Sequence, residues 1–257
     1  MKAVELIAAI ERLAPPAAAA VWDVSGVQVA SRRERVSRLA VLLDPTLPAL
    51  SAAVSDGADF ILAHHPLALH PRFPDAPGEF TDILALLLGG GIWLYSAHTS
   101  LDANPEGPAQ WLAQDLALTD LRLLEPFPDG RHGFGFAGLL PSPLAWVDFR
   151  DLLRRLLRQP RWRSCGARPE TVRSVACCPG AGEQLISAAR AAGAEVFITG
   201  DVKYHAALEA SGRPPHVLDV GHFRLEEEMM SRLAARLQED LSLTVAFYPG
   251  QDPFTFS

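Results

Sequence analysis

Short runs dominated by apolar residues alternate with stretches of helical periodicity along nearly the whole chain, and that alternation restricts the fold more than any other feature. Leu39 to Leu43, Phe60 to Ala63, Ile92 to Ser96, Val196 to Thr199 and His216 to Val220 are rich in strand formers. They lack the in-out alternation of a half-exposed strand, so they read as buried strands of parallel sheets. Helical patterns lie at Met1 to Leu13, around Leu50 and Val54, and at Phe80 to Leu88, Ala109 to Leu116, Ala145 to Leu157, Glu183 to Ala192 and Leu225 to Leu241. The expected class is α/β: two α/β lobes with mostly parallel central sheets, and a metal site at strand carboxyl ends between the lobes. Pro126 to Gly135 combines Pro, Gly and Asp and sets the expected boundary. It divides the 257 residues into an N-terminal lobe of 1–127 and a C-terminal lobe of 128–257, with no inserted third domain.

Charge and cysteine content exclude several function classes. The net charge of −7 opposes non-specific binding to nucleic acid or an anionic membrane. Arg150, Arg154 and Arg158 read as the wet face of an amphipathic helix. The most apolar stretch, Ile83 to Tyr95, is interrupted by Gly89-Gly90-Gly91 and is too short to span a bilayer. The first residues carry Glu5 and Glu11, unlike an export signal. Cys165 stands alone, and a disulfide between the adjacent Cys177 and Cys178 would be badly strained. Reduced thiols, and therefore a cytoplasmic protein, are expected.

The candidate chemistry sits where the strands end. Open α/β sheets bind ligands outside their strand carboxyl ends, and here His64 and His65 follow Phe60–Ala63 directly. Adjacent strand residues point to opposite sides, so this pair suits two ions side by side better than one. Ile92–Ser96 leads into His98 and Asp102, Val196–Thr199 into Asp201, Lys203 and His205, and His216–Val220 into His222 and Glu226. His222 and Glu226 are four apart on a helix, which puts both on one face. Asp102 suits a terminal ligand, and His98 either a further ligand or a residue orienting substrate or water. Mixed imidazole and carboxylate without thiolate suits Zn, Mn, Fe or Co. Lys203 is, with Lys2, one of only two lysines in a chain that otherwise uses arginine, so a compact amine for an anion or a proton is expected there. His70, His132 and His216 read as structural or exposed.

These residues fall in blocks that resemble a known family from end to end. The blocks are Trp22-Asp-Val-Ser-Gly-Val-Gln28, Ala63-His-His-Pro-Leu67, Tyr95-Ser-Ala-His-Thr-Ser-Leu-Asp102, Ile198-Thr-Gly-Asp-Val-Lys-Tyr-His205, Gly221-His-Phe-Arg-Leu-Glu226 and Asp252-Pro-Phe254. Together they resemble the NGG-interacting-factor-three-like proteins, also named GTP cyclohydrolase I type 2 homologs. Val24 stands where that pattern has Asn. The resemblance implies two divalent ions per chain held by His64, His65, Asp102, His222 and a bridging Glu226, with His98 and His205 near them. It also implies a ring-shaped homohexamer.

The leading expectation is a dinuclear metal-dependent hydrolase, GTP cyclohydrolase-like or phosphoesterase-like, acting on a small molecule such as a nucleotide or phosphoester. His98, Lys203 and His205 are its candidate catalytic residues. The alternative is a metal-binding scaffold or regulator that works through protein partners.

Overall fold

The computed structural model describes residues 1–255. Two compact units emerge: residues 1–108 with 227–257, and residues 109–226.

The first unit is built on five strands: β1 (Gly26–Val29), β2 (Arg38–Leu42), β3 (Phe60–Ala63), β4 (Trp93–Ser96) and β11 (Thr244–Phe247). Their order is β1-β4-β3-β2-β11, and every pair is parallel except β1 with β4. Phe60, Ile61, Leu62 and Ala63 are all buried, as the unbroken apolar run requires of a strand covered on both faces. Helices α2 (Leu47–Ser55) and α3 (Glu79–Gly90) place Leu50, Ala53, Ile83 and Leu87 in one core with Ala40, Ile61 and Leu94. Around Leu62 the neighbours are instead Ile10 and Leu13 of α1 (Ala3–Leu13) and Leu233 and Leu237 of α9 (His222–Asp240). A single turn, α4 (Thr99–Asp102), follows β4.

The second unit carries α5 (Trp111–Asp115), β5 (Thr119–Pro126), β6 (Gly133–Ala145), α6 (Trp146–Leu157), β7 (Arg163–Cys165) and β8 (Thr171–Ala181). It continues with α7 (Ile186–Ala191), β9 (Val196–Gly200), α8 (Tyr204–Ala210) and β10 (His216–Asp219). Sheet order is β5-β6-β8-β9-β10-β7. Only β8, β9 and β10 run parallel to one another, so this sheet is mixed where the first is mostly parallel. Phe197 and Val217 pack with Ile186 and Ala189 of α7 and Ala210 of α8, while α6 buries Phe149, Leu153 and Leu157.

Two sequence expectations change. The Pro126–Gly135 segment is the turn of a hairpin, with Pro126 opposite Gly133 and the Phe127 amide donating to the His132 carbonyl at 2.8 Å. Pro, Asp and Gly serve a tight turn and a linker equally, so composition did not separate them. The compact units divide at 108/109 and again after Glu226, where the sequence suggested 127/128, and β11 returns to pair with β2. No helix among the described residues is long and apolar enough to cross a membrane.

Candidate metal centre

Register explains why the first unit gathers imidazoles at one edge. Leu42 lies opposite Ala63, and Ala63 opposite Ser96, so β2, β3 and β4 end level. The ladder runs on for one or two residues, through His64 N–H to Leu42 O, His65 N–H to Leu43 O and Ala97 N–H to Ala63 O. Asp44, His64, His65 and His98 therefore leave the sheet side by side. The rings of His64, His65 and His98 have centroids 5.0, 5.2 and 5.5 Å apart. One ring nitrogen from each lies within 4.8 Å of the others. Asp102, at the end of α4, brings Oδ2 to 3.7 Å from His64 Nε2.

Each of these rings is fixed at Nδ1 by an oxygen. His64 Nδ1 is 2.8 Å from the Ala97 carbonyl, His65 Nδ1 2.7 Å from Asp44, and His98 Nδ1 2.8 Å from Asp23. Carbonyls and ionised carboxylates only accept, so the proton belongs on Nδ1, and Nε2 is the nitrogen that can ligate. A ring oriented by an oxygen at its far nitrogen is the usual arrangement of a metal-binding histidine. Burial works to raise the Asp23 carboxyl. Hydrogen bonds from His98, Thr99 and Ser25 outweigh it and hold the group well below the usual carboxylate range.

The second unit repeats the device. Gly200 ends β9 opposite Ala181 of β8, and Asp219 of β10 lies opposite Thr199. Asp201 follows with φ of +55°, a left-handed conformation that Asp tolerates better than most residues. It accepts from His222 Nδ1 at 2.8 Å. His222 Nε2 lies 2.8 Å from Glu226, one helical turn on, whose side chain is 4% exposed. A neutral imidazole has one proton, yet this ring faces a carboxylate at each nitrogen, so a proton or a metal cation must stand between His222 and Glu226. Gly180, at φ +66°, completes the cradle: a Cβ there would lie 2.2 Å from Glu226 Oε1. These donors fit a divalent ion of the Zn, Mn, Fe or Co type.

Other predicted residues sit differently. Lys203 is exposed, and Glu183 accepts from its amide at 2.8 Å and from its ammonium at 3.1 Å. His205 is exposed, with its ring edge-on to Tyr204. His70 is exposed, His132 pairs with Asp129, and His216 is buried. The roles of Asp23 and Asp44 as acceptors for histidine were not read from the sequence. The available signal was Asp44 at the end of the β2 run. Sequence reasoning also missed a cleft of about 490 Å³ lined by Asp44, His65, Leu67, Arg72 and Phe80. Arg72 lies 4.1 Å over the Phe80 ring there.

Comparison with known proteins agrees with the motif blocks. The model of the family described as Duf34/NIF3 (NGG1p interacting factor 3) matches residues 1–253. The "GTP cyclohydrolase 1 type 2 homolog" of Streptomyces coelicolor is 34% identical over 91% of this chain and 85% of its own. The protein of the same name from Escherichia coli K12 is 32% identical over 98% of this chain and 100% of its own. Among solved structures, reduced HcgD from Methanocaldococcus jannaschii superposes with a TM-score of 0.83 at 27% identity, covering 96% of this chain and 98% of its own. A Bacillus cereus protein related to NIF3 gives 0.88 at 22% identity, covering 100% and 99%, a likeness of fold.

Proposed function

The chain belongs to the Duf34/NIF3 family, and we propose that it is a dinuclear metal protein that hydrolyses a small molecule such as a nucleotide or phosphoester. His64, His65, Asp102, His222 and Glu226 would hold the two ions, Glu226 as the shared carboxylate. What supports this reading most is the shared state of the histidines: each has Nδ1 against an oxygen and so presents Nε2 to a cation. When bound, a divalent pair supplies Lewis acidity, activating water and polarising the scissile bond.

The rest belongs to the chain's own groups. Asp44 and Asp201 lock the rings of His65 and His222. Asp102 and Glu226 offset cationic charge. His98, with its Nδ1 proton held on Asp23, accepts a proton at Nε2 and returns it to the leaving group. Lys203, whose ammonium lies 3.1 Å from Glu183, and His205 serve the anionic end of the substrate. The names of the curated relatives favour ring-opening of a purine nucleotide as the first chemistry to try.

The sparse, odd set of cysteines, Cys165, Cys177 and Cys178, suits a cytoplasmic setting, and we assign the chain to a homohexamer. Screening metal-loaded protein against nucleotides and phosphoesters, with Glu226→Gln as control, tests the activity. Turnover lost in the control supports the hydrolase. No turnover on any member of the panel, with two ions bound, would favour the scaffold instead. Light scattering at micromolar concentration tests the assembly, and a 27.8 kDa monomer would refute it.

A further inference from the structure

A second cleft, of about 790 Å³, lies in the 109–226 unit at the amino-terminal end of β10. His222 and Asp201 follow the opposite, carboxyl ends of β10 and β9, so this is a separate place in the fold. Arg150 and Arg154 line it from α6, one turn apart, together with Arg161 and Arg168. Asp151 pairs with Arg150 at 3.0 Å and Arg154 at 3.3 Å. Among the described residues, neither Arg161 nor Arg168 has a carboxylate within ion-pair distance. The sequence suggested a solvated helix face for Arg150 and Arg154. That face is open to solvent, and two further guanidinium groups line the same cleft.

Aromatic surface interleaves this charge. Trp146 and Trp162 both line the cleft, and the Arg154 guanidinium stands 5.8 Å from the Trp162 ring. His216, only 6% exposed, lies edge-on to Trp146 at 5.0 Å with Nδ1 3.3 Å from the Gly166 carbonyl. Burial, above all, lowers the pKa of His216, so at neutral pH it serves as a hydrogen-bonding group rather than a fifth cation. Planar guanidinium forks match phosphate oxygens, indole faces stack on a flat base, and the volume falls in the range of small-molecule sites.

We infer that this cleft binds a nucleoside polyphosphate, with its phosphates on the arginines and its base against the tryptophans. The inference does not depend on the metal centre, and the test separates the two. Calorimetric titration of the full-length, metal-loaded protein with ATP and with inorganic pyrophosphate would be run in parallel on variants. Both ligands should bind, and Glu226→Gln should leave that binding intact. Arg154→Ala with Arg168→Ala, both exposed positions, should weaken both ligands by at least about tenfold without changing the unfolding temperature. Trp162→Ala should weaken ATP while sparing pyrophosphate. Four results would overturn the proposal: no ATP binding, ATP binding lost in Glu226→Gln but kept in the arginine variant, ATP binding indifferent to Trp162→Ala, or a single-stranded oligonucleotide binding more tightly than ATP.

Discussion

Glu226 and Asp23 are both carboxylates held by histidine, but they answer to different conditions. Glu226 is 3% exposed, and a carboxylate that deeply buried requires a cation or donor beside it. Glu226→Gln keeps the shape and removes the charge, so bound metal should fall from two ions per chain to one or fewer, read by elemental analysis. Lys203 already carries its charge on Glu183, so Lys203→Ala should keep both ions while losing activity on the substrate found by screening. Full activity in that variant would remove Lys203 from the reaction. Asp23 governs stability. Its folded pKa is depressed, chiefly by hydrogen bonds that overcome burial. The stabilisation it gives is therefore full above the ordinary carboxylate range and is lost as pH falls below it. Asp23→Asn should cost about 2 kcal/mol at neutral pH. That deficit should shrink in urea melts at progressively lower pH, and a deficit constant with pH would refute the assignment.

Strand ends carry the chemistry at the next scale, and they were also the most legible part of the sequence. A short apolar run followed by His-His, or by Gly-Asp, shows both the strand and where it stops. What the sequence could not show was register, which places Asp44 beside His65 and Asp201 beside His222. Those partners are distant in sequence and are set by β2 aligning with β3 and β9 with β10. The tail of β8 offers a test of that geometry. Gly180→Ala pays for a left-handed φ, about 1–2 kcal/mol, and also drives a methyl into Glu226 Oε1. Gly193→Ala carries the same backbone strain at φ +71° with nothing within 4 Å of the new Cβ. Gly180→Ala should lose at least as much stability as Gly193→Ala in thermal melts, and only Gly180→Ala should lose metal. Equal metal content in the two would show that Gly180 does not shape the carboxylate's position.

At the scale of the whole chain, the α/β class followed from alternation alone, whereas the division into units did not. A reading that moves along the sequence finds a boundary at the most turn-like segment, and here that segment closes the β5–β6 hairpin. The chain's last strand instead belongs to the first sheet, a non-local pairing that no local pattern encodes. β11 lies parallel to β2 over four register pairs, from Thr244 with Arg38 to Phe247 with Val41. Beyond it the Tyr248 amide donates to the Val41 carbonyl at 2.8 Å, and its hydroxyl pairs with Asp56 at 3.0 Å. Removing residues 244–257 would leave β2 as an edge strand with its outer backbone groups exposed, and lost hydrogen bonds alone should cost on the order of 2–4 kcal/mol. The loss should be local to one unit, because β8, β9 and β10 pair only among residues of 109–226. Hydrogen exchange followed by mass spectrometry should therefore show faster exchange in Leu39–Leu42 of the truncated chain and unchanged exchange in Val196–Thr199. Uniform acceleration through both sheets would mean that the two units unfold as one cooperative body, and that the returning strand stabilises the entire molecule.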